Sequence, residues 1–148
     1  MEVSSLFDWA NSIALFAWAL MIFTPRWRYT RYLTNQMIIP LLLGLAYIIL
    51  IFSNFSIETF DFSTLESVRT LFENDYLLLA GWIHYLAFDL LVGSWILMSA
   101  QKQNINHWWV IIPLFFTFAL GPVGLIMYFI VALSTTKKWP FLYQIKES

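Results

Sequence analysis

The chain has 148 residues, of which 60% are hydrophobic, 20% aromatic and 11% charged, with a net charge of −1 and no cysteine. Soluble domains are about a quarter charged, so this is the composition of an integral membrane protein, one small domain over residues 1–148. Disulfides, thiolate nucleophiles and Cys-ligated metals are excluded. No basic stripe exists to neutralise phosphates, so nucleic acid is not an expected partner.

The opening Met1-Glu2-Val3-Ser4-Ser5 is not basic, and no small-residue cleavage site follows. The first helix is therefore expected to stay in the mature protein. With no Arg- and Ser-rich extension either, the expected location is a bacterial cytoplasmic membrane. The first predicted span runs from Leu6 to Phe23. Its Asp8 and Asn11 share a face at i, i+3 spacing. Asp8 is near the helix start, where a carboxylate suits the dipole. Asn11 lies deeper and is expected to bond another helix.

Arg26, Arg28 and Arg31 follow directly, and the positive-inside rule puts their loop in the cytoplasm. The second predicted span runs from Gln36 to Phe52. The connection after it carries Glu58, Asp61, Glu66, Glu73 and Asp75 against Arg69. Ser63 and Glu66 have capping-box spacing, and Leu65, Val68, Leu71 and Phe72 recur at helical spacing. This predicts a short amphipathic helix at the membrane surface.

The third predicted span runs from Tyr76 to Met98, and the fourth from Trp109 to Leu133. Pro122, inside Gly121-Pro122-Val123-Gly124, removes a backbone donor and should kink the fourth. The expected fold is an all-α four-helix transmembrane bundle with an interfacial helix between its second and third members. Both termini then lie outside, although Lys137, Lys138 and Lys146 pull the tail the other way. Trp27, Tyr29, Tyr32, Trp108, Trp109, Trp139, Phe141 and Tyr143 fall at helix ends as interfacial anchors.

Asp89 is the residue that asks for a function. A carboxylate at mid-membrane costs roughly 2.5 kcal/mol or more, and such residues mark functional sites. On a helical projection Gly81, Tyr85, Phe88 and Val92 centre one face, with His84 and Asp89 flanking it about 140 degrees apart. Tyr85, one turn away, can hydrogen-bond to Asp89. Burial disfavours the charged form of either group, which suits Asp89 to a neutral acid and His84 to a neutral base. Both also have a plainer reading, as a paired acid and a packed imidazole. His84 and His107 are the only histidines, and no HxxxH or ExxH spacing occurs, so no metal site is expected. Asn11, Trp82, Tyr85 and Phe88, with Gly121 and Pro122 at the kink, are the expected lining of a pocket for a flat apolar ligand.

Three stretches together resemble a known family. Gly81-Trp82-Ile83-His84-Tyr85-Leu86-Ala87-Phe88-Asp89-Leu90 resembles the central motif of the neoxanthin synthase-like proteins, named for abscisic acid deficiency in plants. Pro25-Arg26-Trp27-Arg28-Tyr29-Thr30-Arg31 is similar to the family's basic loop. Leu120-Gly121-Pro122-Val123-Gly124-Leu125 resembles its last-helix motif, with Leu120 in place of the usual Phe. The resemblance implies a carotenoid or other isoprenoid ligand beside membrane lipid, and isomerisation without a redox cofactor. Opening an epoxide to an allene or alcohol needs a proton delivered to oxygen and one removed from carbon, which His84 and Asp89 could provide. The alternative is a non-catalytic pigment-binding or assembly subunit. A proton-coupled transporter would need more helices than one chain supplies, and so a homo-oligomer.

Overall fold

The computed structural model describes residues 2–54, 62–137 and 139–140, with backbone alone at Asn35. Glu58, Asp61, Lys138, Phe141, Tyr143 and Lys146 lie outside the described residues. Six helices carry the fold: α1 (Val3–Phe23), α2 (Ile38–Ser53), α3 (Leu65–Leu71), α4 (Asp75–Lys102), α5 (His107–Leu120) and α6 (Pro122–Thr136). A helical turn at Arg28–Thr30 runs into a π-helical turn at Arg31–Asn35 before α2. Three stretches, Val3–Phe23, Arg28–Ser53 and Asp75–Lys102, are long and apolar enough to cross a membrane.

The centre of the molecule is α4, packed by α1, α2, α5 and α6. At 28 residues it is about 42 Å long. α1 runs parallel to it: Asn11 meets Trp82, Trp18 meets Gly93, and Pro25 meets Gln101. Gly93 is required there, because a Cβ would lie 2.5 Å from the Trp18 ring. The buried face of α4 is lined largely by small and aliphatic residues: Ala80, Ile83, Ala87, Leu90, Gly93, Ser94, Leu97 and Ala100. Small residues let helix backbones approach closely when lipid supplies no hydrophobic drive between helices.

The predicted fourth span is not a kinked rod. Gly121 adopts φ +41° and ψ −92°, ending α5, and Pro122 opens α6 as its first residue. Proline is suited to that position because its missing N–H would be unpaired there anyway. α6 then turns back along α5. Gly124 sits so close to Thr117 and the Pro113 carbonyl that no Cβ would fit. At the far end of α6, Thr136 Oγ1 donates to Gln103 Oε1 at 3.2 Å, and Gln103 Nε2 donates to the Tyr128 hydroxyl at 3.3 Å. The arms have 14 and 15 residues, about 21 and 23 Å, which is short of a hydrocarbon core of about 30 Å. The structure therefore replaces the fourth member of the expected bundle with a helical hairpin. Its two open ends lie beside the turn after α4, and its tip lies halfway along α4.

The short helix expected after the second span is present at Leu65–Leu71, but Thr64 caps it rather than Ser63: its Oγ1 accepts from the Ser67 N–H at 3.1 Å. Glu66 pairs instead with Arg69. Leu71 is buried, and Phe72 packs on Gly81.

Candidate functional site

Asp89 lies 14 residues from the start of α4 and 13 from its end. It is 9% exposed, and its Oδ2 is a buried oxygen with no hydrogen-bond partner. The hairpin tip closes over it. Oδ1 lies 2.7 Å from where a Cβ on Gly121 would stand. Glycine is thus demanded twice at 121, by a left-handed φ and by the carboxylate beside it.

Two helix ends converge here. The start of α6 at Gly121-Pro122 sets the positive end of its dipole beside the carboxylate. The last turn of α5 brings carbonyls in need of donors. Tyr85 Oη reaches two of them, Phe118 O at 3.4 Å and Ala119 O at 3.5 Å, both long for hydrogen bonds. The same hydroxyl is close enough to Asp89 to interact with it. Asp89 and Tyr85 therefore form the polar pair at this site, one turn apart on α4.

His84 does not join them. It is exposed on the outer side of α4, between the rings of Tyr47 at 5.4 Å and Phe88 at 4.5 Å. The expected inward face, centred on Gly81, Tyr85, Phe88 and Val92, is corrected by nearly half a turn. Phe88 is 56% exposed, Tyr85 stands at the boundary, and Asp89 is taken inside while His84 is left outside. The reason is that α4 is apolar all round, so its large aromatics can face outward while its small residues make the helix contacts.

Asn11 fulfils the expectation of an interhelical bond: its Oδ1 accepts from Trp82 Nε1 at 3.0 Å, and its Nδ2 donates to the Phe7 carbonyl at 2.9 Å. Trp82 in turn contacts the rings of Phe7 at 5.8 Å and Tyr85 at 5.3 Å. An aromatic row thus leads from the α1–α4 seam to Tyr85. An apolar recess of about 330 Å³, lined by Val3, Phe7, Leu78, Leu79 and Trp82, opens at the outer end of that row. Gly121 and Pro122 form the hairpin tip, with Gly121 against Asp89, rather than the two sides of a kink. Among the described residues no group of three His, Asp or Glu could hold a metal. The Tyr85–Phe118 and Tyr85–Ala119 contacts could not be read from sequence, because they depend on the hairpin turning back.

The class defined by this arrangement is an all-helical protein with three membrane-length apolar helices, a short helical hairpin and a buried carboxyl at the hairpin tip. The chain belongs to the ABA DEFICIENT 4-like family, which residues 5–128 match. No curated protein and no solved structure matches the chain.

Proposed function

We propose that the protein is a membrane isomerase of a carotenoid or related isoprenoid, with Asp89 as proton donor and Tyr85 as its partner. Membership of the ABA DEFICIENT 4-like family supports a role in carotenoid or abscisic acid biosynthesis. The single observation that carries the catalytic reading is the burial of Asp89, whose Oδ2 makes no full hydrogen bond and has only the Tyr85 hydroxyl close enough to interact with the carboxyl. A buried polar atom without a partner costs about 1–3 kcal/mol, and such a group persists where function uses it.

In an epoxide opening, the neutral Asp89 carboxyl would give its proton to the epoxide oxygen as the C–O bond breaks. The resulting carboxylate, or Tyr85 in relay, would accept a proton from the neighbouring carbon. Atoms are conserved and no redox cofactor enters. The aromatic row of Phe7, Trp82 and Tyr85 supports a flat apolar ligand reaching this pair from the seam. His84, outside the pair, is retained as a ligand contact beside Phe88, not as the base.

A second reading, a non-catalytic pigment-binding subunit, is favoured by the outward position of His84 between two aromatic rings. The two separate on one experiment. Isoprenoids are extracted from a host lacking the protein and from the same host carrying wild type or Asp89→Asn. The catalytic reading expects Asp89→Asn to leave the deletion profile unchanged despite normal protein levels. A wild-type profile from Asp89→Asn would leave only the binding reading.

A further inference from the structure

A groove of about 900 Å³ lies where the loop after α1 meets the turn between α4 and α5. Arg26 and Arg31 line it, with Asn104 and Trp108 opposite, while Leu97 and Val110 line its deeper, buried part. The loop that carries both arginines is fixed. Thr30 Oγ1 donates to the Thr24 carbonyl at 2.7 Å and Thr34 Oγ1 to the Thr30 carbonyl at 2.6 Å, with both threonines fully buried. Gln101 Nε2 donates to the Pro25 carbonyl at 2.8 Å, and His107 Nε2 bonds the Ile22 carbonyl at 2.9 Å. The guanidinium stems therefore start from a rigid base.

Among the described residues the charges at this end are of one sign. Of the described acids, Glu2 and Asp8 lie towards the start of α1, Glu66, Glu73 and Asp75 lie around α3 and the start of α4, and Asp89 lies halfway along α4. None of them stands at the groove to neutralise Arg26 or Arg31. Trp27 and Trp108, 49% and 76% exposed, flank the same level, the depth at which aromatic belts meet lipid headgroups.

We propose that this groove binds the phosphate of an anionic membrane lipid. The planar guanidinium fork matches phosphate oxygens in pairs. A basic pocket between helices at the membrane surface recognises such headgroups. The apolar inner part, at Leu97 and Val110, accommodates the glycerol ester that a lipid carries and a free anion lacks.

The test uses the full chain in neutral detergent. Thermal stability and tryptophan fluorescence are read while dioctanoyl phosphatidic acid, dioctanoyl phosphatidylcholine or inorganic phosphate is added. Phosphatidic acid should saturate, phosphatidylcholine should not, and inorganic phosphate should bind at least about 10-fold more weakly. Losing charged hydrogen bonds in the Arg26→Gln/Arg31→Gln double variant should weaken phosphatidic acid binding by about 10-fold or more. Arg28→Gln removes one charge from a residue that does not line the groove: Arg28 lies over the Tyr29 ring at 5.4 Å in a neighbouring recess that shares Arg31 with it. It should bind as wild type. If the glutamine pair does not fold, Arg26→Lys/Arg31→Lys keeps the charge and removes the fork, and it should still weaken binding. Absence of saturation, equal losses in Arg28→Gln, wild-type affinity in the lysine pair, or inorganic phosphate binding as tightly as the lipid would each overturn the proposal.

Discussion

A buried carboxyl oxygen without a partner lowers the stability of the protein that holds it, and this gives Asp89 a signature distinct from that of a structural acid. Asp89→Asn should leave thermal stability unchanged or raise it, because the amide is cheaper to bury than a carboxyl that can ionise. A fall of several degrees would assign Asp89 to holding the helices together. Gly121 should behave in the opposite way. Gly121→Ala places a Cβ at positive φ and 2.7 Å from Asp89 Oδ1. A cost of about 1–3 kcal/mol follows from backbone strain alone, to be read as a lowered Tm. The depth of Asp89 was legible in the sequence because its cost in an apolar run is large. The position of His84 was not. A helix apolar on every side gives no periodic signal for its inward face, and bulky aromatics drew the expected face away from the small residues that make the contacts.

The hairpin of α5 and α6 is the element that makes the site. It carries the tip to Asp89, presents the start of one helix and the end of another, and supplies the carbonyls that Tyr85 approaches. Gly124 is a point of close contact between the arms, against Thr117 and the Pro113 carbonyl. Gly124→Ala should force the arms apart at an overpacking cost of about 1–3 kcal/mol. It should also lower the yield of folded protein in detergent, where Gly44→Ala, with open space around it, should not. The sequence announced an interruption at Gly121-Pro122 and could not say which kind. A Gly-Pro step can bend one long helix or turn two short ones back on each other. The choice rests on the Gly124 contact across the turn and on the bonds that join Gln103 to Tyr128 and Thr136, which are distant in sequence.

At the scale of the whole molecule, the hairpin reverses the expected position of the C-terminal end. Thr136 returns to Gln103, and Gln101 bonds Pro25, so Lys137 ends on the same side as the arginine loop. Among the described residues Arg26, Arg28, Arg31, Lys102 and Lys137 then share one end, and Arg69 stands at the other. The tension in the four-span reading eases, since among the described residues one end carries every basic residue but Arg69, and the positive-inside rule predicts that this end faces the cytoplasm. The chain has no cysteine, so single introduced thiols report topology cleanly. In intact cells Ser4→Cys should react with an impermeant maleimide, and Ser134→Cys should react only after permeabilisation. Labelling of both from outside would restore four spans. The central claim, that Asp89 delivers a proton to an isoprenoid from the tip of this hairpin, is tested most directly by turnover per folded protein in lipid bilayers, using extracted host isoprenoid epoxides as substrate. Asp89→Asn should fall by about 10²-fold or more, as loss of general acid catalysis predicts, with His84→Gln falling far less because His84 is placed as a ligand contact and not as the base. Full turnover by a folded Asp89→Asn protein would contradict the account.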